Sequence, residues 1–201
     1  MTLILIAATS VLSLFAFGDR RVFEALLFHP WTIRERRDWT RFISHAFVHA
    51  DVPHLLVNMY VLYIFGPGVE RAFMDFTDGS GRLPFLALYL GGILWSSLPG
   101  YRKHRFNPEY RAVGASGAVS AVLFAHILIR PMDGIGMLFL PGLHIPAFIF
   151  GILYMVFEWY MDKRGGGRVA HDAHLHGAFF GLLFTAILQP SLVTRLLHLQ
   201  L

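Results

Sequence analysis

The sequence predicts an all-α polytopic membrane protein, a bundle of six transmembrane helices, and three observations carry that expectation. Apolar residues make up 55% of the chain and charged residues 15%, where a soluble domain carries about 25% charged. Apolar residues gather into six long runs, at 2–18, 53–70, 83–99, 115–130, 145–161 and 173–189, each close to the length a membrane helix needs. No run alternates like a barrel strand, and inside a bilayer only helices and closed barrels satisfy their own backbone. With no repeat or low-complexity tract, residues 1–201 read as a single domain.

The first run, TLILIAATSVLSLFAF, has no Lys or Arg before it and no convincing cleavage site, so it reads as a span, not a signal peptide. The loop at 19–52 interleaves aromatic and basic residues, among them Arg20, Arg21, Trp31, Arg34, Trp39 and Arg41. Trp beside Arg at this density suits the membrane–water interface, with rings at headgroup level and guanidiniums reaching water. The second run opens with Asp51 before Pro53, good helix-start chemistry. Gly66-Pro67-Gly68 is expected to close it, with Glu70 and Arg71 as an ion pair or anchor just beyond. Asp78-Gly79-Ser80-Gly81, Pro99-Gly100, Pro131 with Gly134, and Gly165-Gly166-Gly167 mark the remaining breaks. In the fifth run Phe148, Phe150, Phe157 and Trp159 read as lipid-facing bulk, and Glu158 as a side chain snorkelling to the surface.

Six crossings put the first, third and fifth loops on one side, where runs two, four and six begin. His54 and Asn58, Ser116, and His174 fall in the first turn or two of those runs, within roughly 10 Å of one surface at about 1.5 Å rise per residue. Reactive side chains from three helices thus converge at one end of the bundle. Serine is a weak nucleophile that needs a base, and a helix N-terminus offers Ser116 free N–H groups for a developing oxyanion. Taken alone, Gly117 and Ala121 four residues apart fit a packing motif better.

His174 shares a face with Gly177 and Gly181, small residues that admit a neighbouring helix. A neutral imidazole there can accept the serine proton; without a partner it is equally a histidine making local hydrogen bonds. Asp172 is on the wrong face to orient it, so a Ser116–His174 dyad with no third member is expected. His54 and Asn58, four apart, are candidate oxyanion donors, with interhelical glue as the alternative; the expense of polar groups within a span favours function. His45 and His49 suit cavity lining or backbone hydrogen bonding better than metal ligation. His171 and His176 take no assigned role.

The absence of cysteine excludes a disulfide framework and thiolate chemistry. The net charge of +4 comes without a separate basic run, so the basic residues read as anchors and no nucleic-acid partner is expected.

Together these motifs resemble those of the rhomboid family. The matching residues are Gly114, Ser116, Gly117 and Ala121; His45 to His49 followed by His54 and Asn58; Ala173, His174, Gly177 and Gly181; and Trp39 with Arg41. The resemblance implies hydrolysis of transmembrane or membrane-proximal peptide bonds with no metal or cofactor. It further implies an oxyanion and substrate-binding site from the Ser116 backbone, His54, Asn58 and Gly114. Transmembrane protein substrates and the lipid bilayer are the implied partners, and a bacterial inner membrane the implied location. Of the 17 Lys and Arg, 13 fall on the side where the site lies, which by charge bias alone would be cytoplasmic; the resemblance to bacterial relatives implies the opposite face and is followed. Two other readings stay open. One is a catalytically silent rhomboid-like protein that binds membrane helices. The other is a membrane metalloenzyme using His45/His49 and His171/His174/His176, which leaves Ser116 and Asn58 unexplained.

Overall fold

The structure, a computed structural model, describes residues 1–137, 140–165 and 169–197. Each of the six apolar runs forms a helix: α1 (Thr2–Gly18), α5 (Val52–Phe76), α6 (Arg82–His104), α7 (Ser116–Ile129), α8 (Ala147–Arg164) and α9 (His171–Leu188). Three short helices fill the first loop, α2 (Arg20–Leu26), α3 (Pro30–Arg36) and α4 (Arg41–Ser44), and α10 (Ser191–Leu197) follows α9. By length and composition α5 and α6 are apolar enough to cross a membrane, whereas α1 and α7 are shorter apolar helices.

The central element is α7, with 11 of its 14 residues buried. It packs against α5, α6 and α9, with α8 lying along α9 and α1 along α5. A helix apolar all round belongs inside a bundle, and α7 meets that description. The outer helices show apolar side chains outward: Leu3 and Phe15 on α1, Leu56 and Tyr63 on α5, Ile152 and Phe157 on α8. Such faces suit lipid, where no hydrophobic penalty attaches to them.

Several expectations need correction. The fold is mostly helical, as expected, with one addition: β1 (Gly134–Met137) and β2 (Leu140–Pro146) form a short antiparallel hairpin between α7 and α8. The Pro131 and Gly134 break is therefore the entry to a hairpin. Pro67 and Pro99 do not end helices; both lie inside them, in α5 and α6. Packed neighbours allow a membrane-type helix to absorb the one backbone bond that proline removes. Gly165 does end α8, at φ +62°, while Gly166 and Gly167 lie outside the described residues. Glu70 pairs with the Met1 amino group at 2.5 Å and accepts from the Thr2 N–H and hydroxyl at 3.0 and 2.9 Å, so it holds α1 to α5 and is not paired with Arg71.

The first loop has a core of its own. Phe28, Ile33 and Phe42 are buried together against Tyr101, Tyr110 and Ala112, and Phe28 bridges to Ala112 through backbone hydrogen bonds of 2.9 and 3.0 Å. Arg20 and Arg21 are exposed as expected. Arg41 is not: it donates to Asp38 at 2.8 Å and to the Glu24 and Leu27 carbonyls at 2.9 and 2.8 Å, knotting the loop. The Thr40 hydroxyl, which donates to Asp38 as well, and then the Arg41 guanidinium hold the Asp38 carboxyl below its ordinary value.

Candidate active site

Ser116 is the first residue of α7. Two residues earlier Gly114 takes φ +112°, a conformation that favours glycine. Glycine is needed there for space as well: a Cβ would stand 2.6 and 2.8 Å from His54 Cε1 and Nε2. The His54 ring thus lies directly on the backbone that leads into Ser116. His54 begins α5 behind an Asp51 cap, whose carboxylate accepts from the His54 N–H at 2.8 Å. Asn58 is buried one turn on and donates from its amide to the His54 carbonyl at 2.9 Å.

The histidines before α5 support the same segment. The His45 carbonyl accepts from the Gly114 N–H at 2.9 Å, and His49 Nε2 accepts from the Ala115 N–H at 3.4 Å. His45 Nε2 also meets the Ser97 hydroxyl at 3.0 Å, and His49 Nδ1 meets Ser13 at 2.9 Å. Burial pushes His45 down to about 4; for His49 burial, with His54 beside it, pushes the value down to about 3. Both rings are neutral at pH 7 and tie the loop before α7 in place, as hydrogen-bonding histidines. Burial raises the Tyr110 phenol to about 12, so it stays protonated. Ser116, Gly117, Ser96, His45, Tyr110 and Asp172 help line a small cavity of about 40 Å³ beside the serine, room for a water.

α9 comes to α7 through its small residues. A Cβ on Gly177 would stand 2.1 Å from the Gly117 carbonyl oxygen, and one on Gly181 the same distance from that of Ala121. The two backbones are therefore in direct contact, and His174, one turn before Gly177, stands at the Ser116 end of that contact. No hydrogen bond joins the Ser116 hydroxyl to the His174 ring among the described residues. Asp172 caps its own helix, accepting from the Ala173 N–H at 2.9 Å, and His176 Nδ1 donates to the Asp172 carbonyl at 2.7 Å. Neither reaches His174.

Glu158 does, and the sequence reading missed it. It is 4% exposed, so it does not snorkel. Its Oε1 lies 3.0 Å from His174 Nδ1 and its Oε2 2.6 Å from His171 Nδ1. A carboxylate therefore stands beside His174, a neighbour that spacing along the chain did not reveal. The only hint in the sequence was a carboxylate in an apolar helix, and helix-end position made snorkelling the simpler account. Among the described residues Glu158, His171 and His174 are also the set that could close on a metal ion, their ligand-type atoms lying within 4.8 Å of one another; His45, His49 and His176 go elsewhere.

A family profile described as Rhomboid domain matches residues 36–191. The mitochondrial RHOMBOID-like protein 12 of Arabidopsis thaliana is 30% identical over 152 residues, 68% of this chain and 42% of that protein. The mitochondrial presenilin-associated rhomboid-like protein A of Danio rerio is 32% identical over 154 residues, 71% of this chain and 36% of its own length. The rhomboid protease GlpG of an Enterobacter species is 29% identical over 187 residues, 90% of this chain and 60% of that protein. The chain spans less than two thirds of each of these relatives.

Proposed function

The chain belongs to the rhomboid family, a family of membrane-embedded proteins, and on that premise we propose that it is an intramembrane serine endopeptidase. It cleaves transmembrane or membrane-proximal peptide bonds of membrane proteins, with Ser116 as nucleophile, His174 as general base, and residues 1–201 acting as one domain in a bacterial inner membrane. The observation that carries this reading is the backbone contact of α7 with α9 at Gly117 and Gly177, which holds Ser116 and His174 at one end of the bundle.

Chemistry follows from that placement. His174 takes the Ser116 proton as the oxygen attacks the substrate carbonyl, and a tetrahedral oxyanion forms. N–H groups at the α7 N-terminus, His54 and the Asn58 amide are the donors for that oxyanion; the loss of one such donor costs about 10²–10³ in rate. The His174 imidazolium then protonates the leaving amine, giving an acyl-enzyme. Water, deprotonated by the same ring, attacks the acyl carbonyl and returns the serine. A resting enzyme commonly holds its nucleophile and base looser than bonding distance until substrate arrives, which accords with the open Ser116–His174 pair.

The test is labelling by a fluorophosphonate probe in detergent. Wild type is expected to label and Ser116→Ala and His174→Ala not, with all three showing the same thermal melting. Labelling retained in either variant would sink the assignment. A folded wild type that stays unlabelled would point instead to a silent, helix-binding member of the family.

A further inference from the structure

Glu158 is nearly sealed from solvent, yet both of its carboxylate oxygens are occupied by imidazoles of one helix, His174 at 3.0 Å and His171 at 2.6 Å. An ionised carboxylate has no proton to give. Each contact therefore requires the ring to donate from Nδ1. For a neutral His174 that puts its single proton on Nδ1 and leaves the Nε2 lone pair free. This is the tautomer a general base needs, and a carboxylate at Nδ1 also stabilises the imidazolium that forms when the serine proton arrives.

From this geometry we propose that Glu158 is the positioning residue of the site, fixing the tautomer and orientation of His174 while His171 holds the other carboxylate oxygen in place. The proposal rests on the Ser116–His174 reading and extends it from a pair to a triad anchored on a third helix, α8. Glu158 is bonded to the two imidazoles and acts through His174. The role of His171 follows from the same bonds. Without it, the carboxylate would lose one of its two imidazole partners, and with it part of its fixed direction.

Two measurements decide the matter. The first is the ¹⁵N spectrum of histidine-labelled protein in detergent near pH 8, on Ser116→Ala so that chemistry does not enter. We expect His174, identified by its loss in His174→Ala, in the Nδ1–H form, and in Glu158→Ala shifted towards the Nε2–H form. A His174 already in the Nε2–H form with Glu158 present overturns the proposal, whatever the protein's activity. The second is the fluorophosphonate labelling rate of otherwise wild-type chains.

Glu158→Ala is expected to slow labelling by at least tenfold, against about 10⁴ for loss of the carboxylate's charge in a serine protease triad. Glu158→Asp is expected to recover part of that rate, and His171→Ala to lose a smaller part. Wild-type rates in a folded Glu158→Ala, with Ser116→Ala unlabelled, would show that the dyad stands and Glu158 merely braces α8 against α9. Labelling that wild type loses to EDTA and regains with zinc would overturn the proposal in favour of a metal held by the same three side chains.

Discussion

His45 and His49 carry a pH dependence that belongs to single side chains. Both are held neutral by burial, at about 4 and about 3 against an ordinary 6.5. An unfolded chain would take up their protons below pH 6.5, whereas the folded one refuses them until far lower. Stability from these residues is therefore fully present above pH 6.5 and is lost as pH falls, down to about 4 for His45 and about 3 for His49. At pH 5 the loss for one such ring is about 2 kcal/mol. We expect the melting temperature in detergent to drop between pH 7.5 and 5, and His49→Gln, which cannot take a charge, to blunt the drop. A flat profile would contradict the buried, neutral assignment. At this scale the sequence was informative where spacing alone links residues. His54 and Asn58 share a face because they are four apart, and Ser116 stood out by its glycines. Glu158 and His174, 16 residues apart on different helices, could be joined only by folding, and helix-end statistics pointed Glu158 the wrong way.

Helix against helix, the decisive contact is that of α7 with α9. Gly177 and Gly181 face carbonyl oxygens across it, and any side chain there must push the helices apart. Gly177→Ala and Gly181→Ala are each expected to destabilise by about 1–3 kcal/mol from overpacking, an effect only partly offset by alanine's better helix propensity of about 1 kcal/mol. Because α9 carries His174, both variants should also label more slowly than wild type. Gly18→Ala, with open space around it, should melt as wild type does. Equal melting for all three would remove the close-contact account. The six helices themselves were visible as apolar runs, since in a membrane-type bundle burial and lipid exposure both select apolar residues. Their ends were less visible. Proline and glycine punctuate soluble helices reliably, but Pro67 and Pro99 lie within α5 and α6, where neighbouring helices remove the need for the chain to turn. The hairpin at 134–146 escaped notice because its strands are short and set in a loop.

For the whole molecule the question is which ends of the helices share a side of the membrane. The N-termini of α5, α7 and α9 meet around Gly114 and Gly117, as the His54 and Ala173 contacts require. If each intervening helix crosses, every loop entering α5, α7 or α9 lies on the site's side and the alternate loops lie opposite. The chain contains no cysteine, so single cysteines can be placed without background. Glu109→Cys, in the loop before α7, and Ser80→Cys, in the turn between α5 and α6, are both at exposed positions. In sealed membranes a maleimide that cannot cross the bilayer should reach one of them from outside, and the other only after the membrane is opened. Reaction of both from the same side would break the six-crossing scheme, whatever the fate of the dyad. Which of the two reacts first also settles orientation. Glu109 reacting inside would mean that the concentration of basic residues beside the site obeys the positive-inside rule. Glu109 reacting outside would mean that bonds such as those of Arg41 to the Glu24 and Leu27 carbonyls account for part of that charge as structure, so that not every arginine there acts as a topological signal.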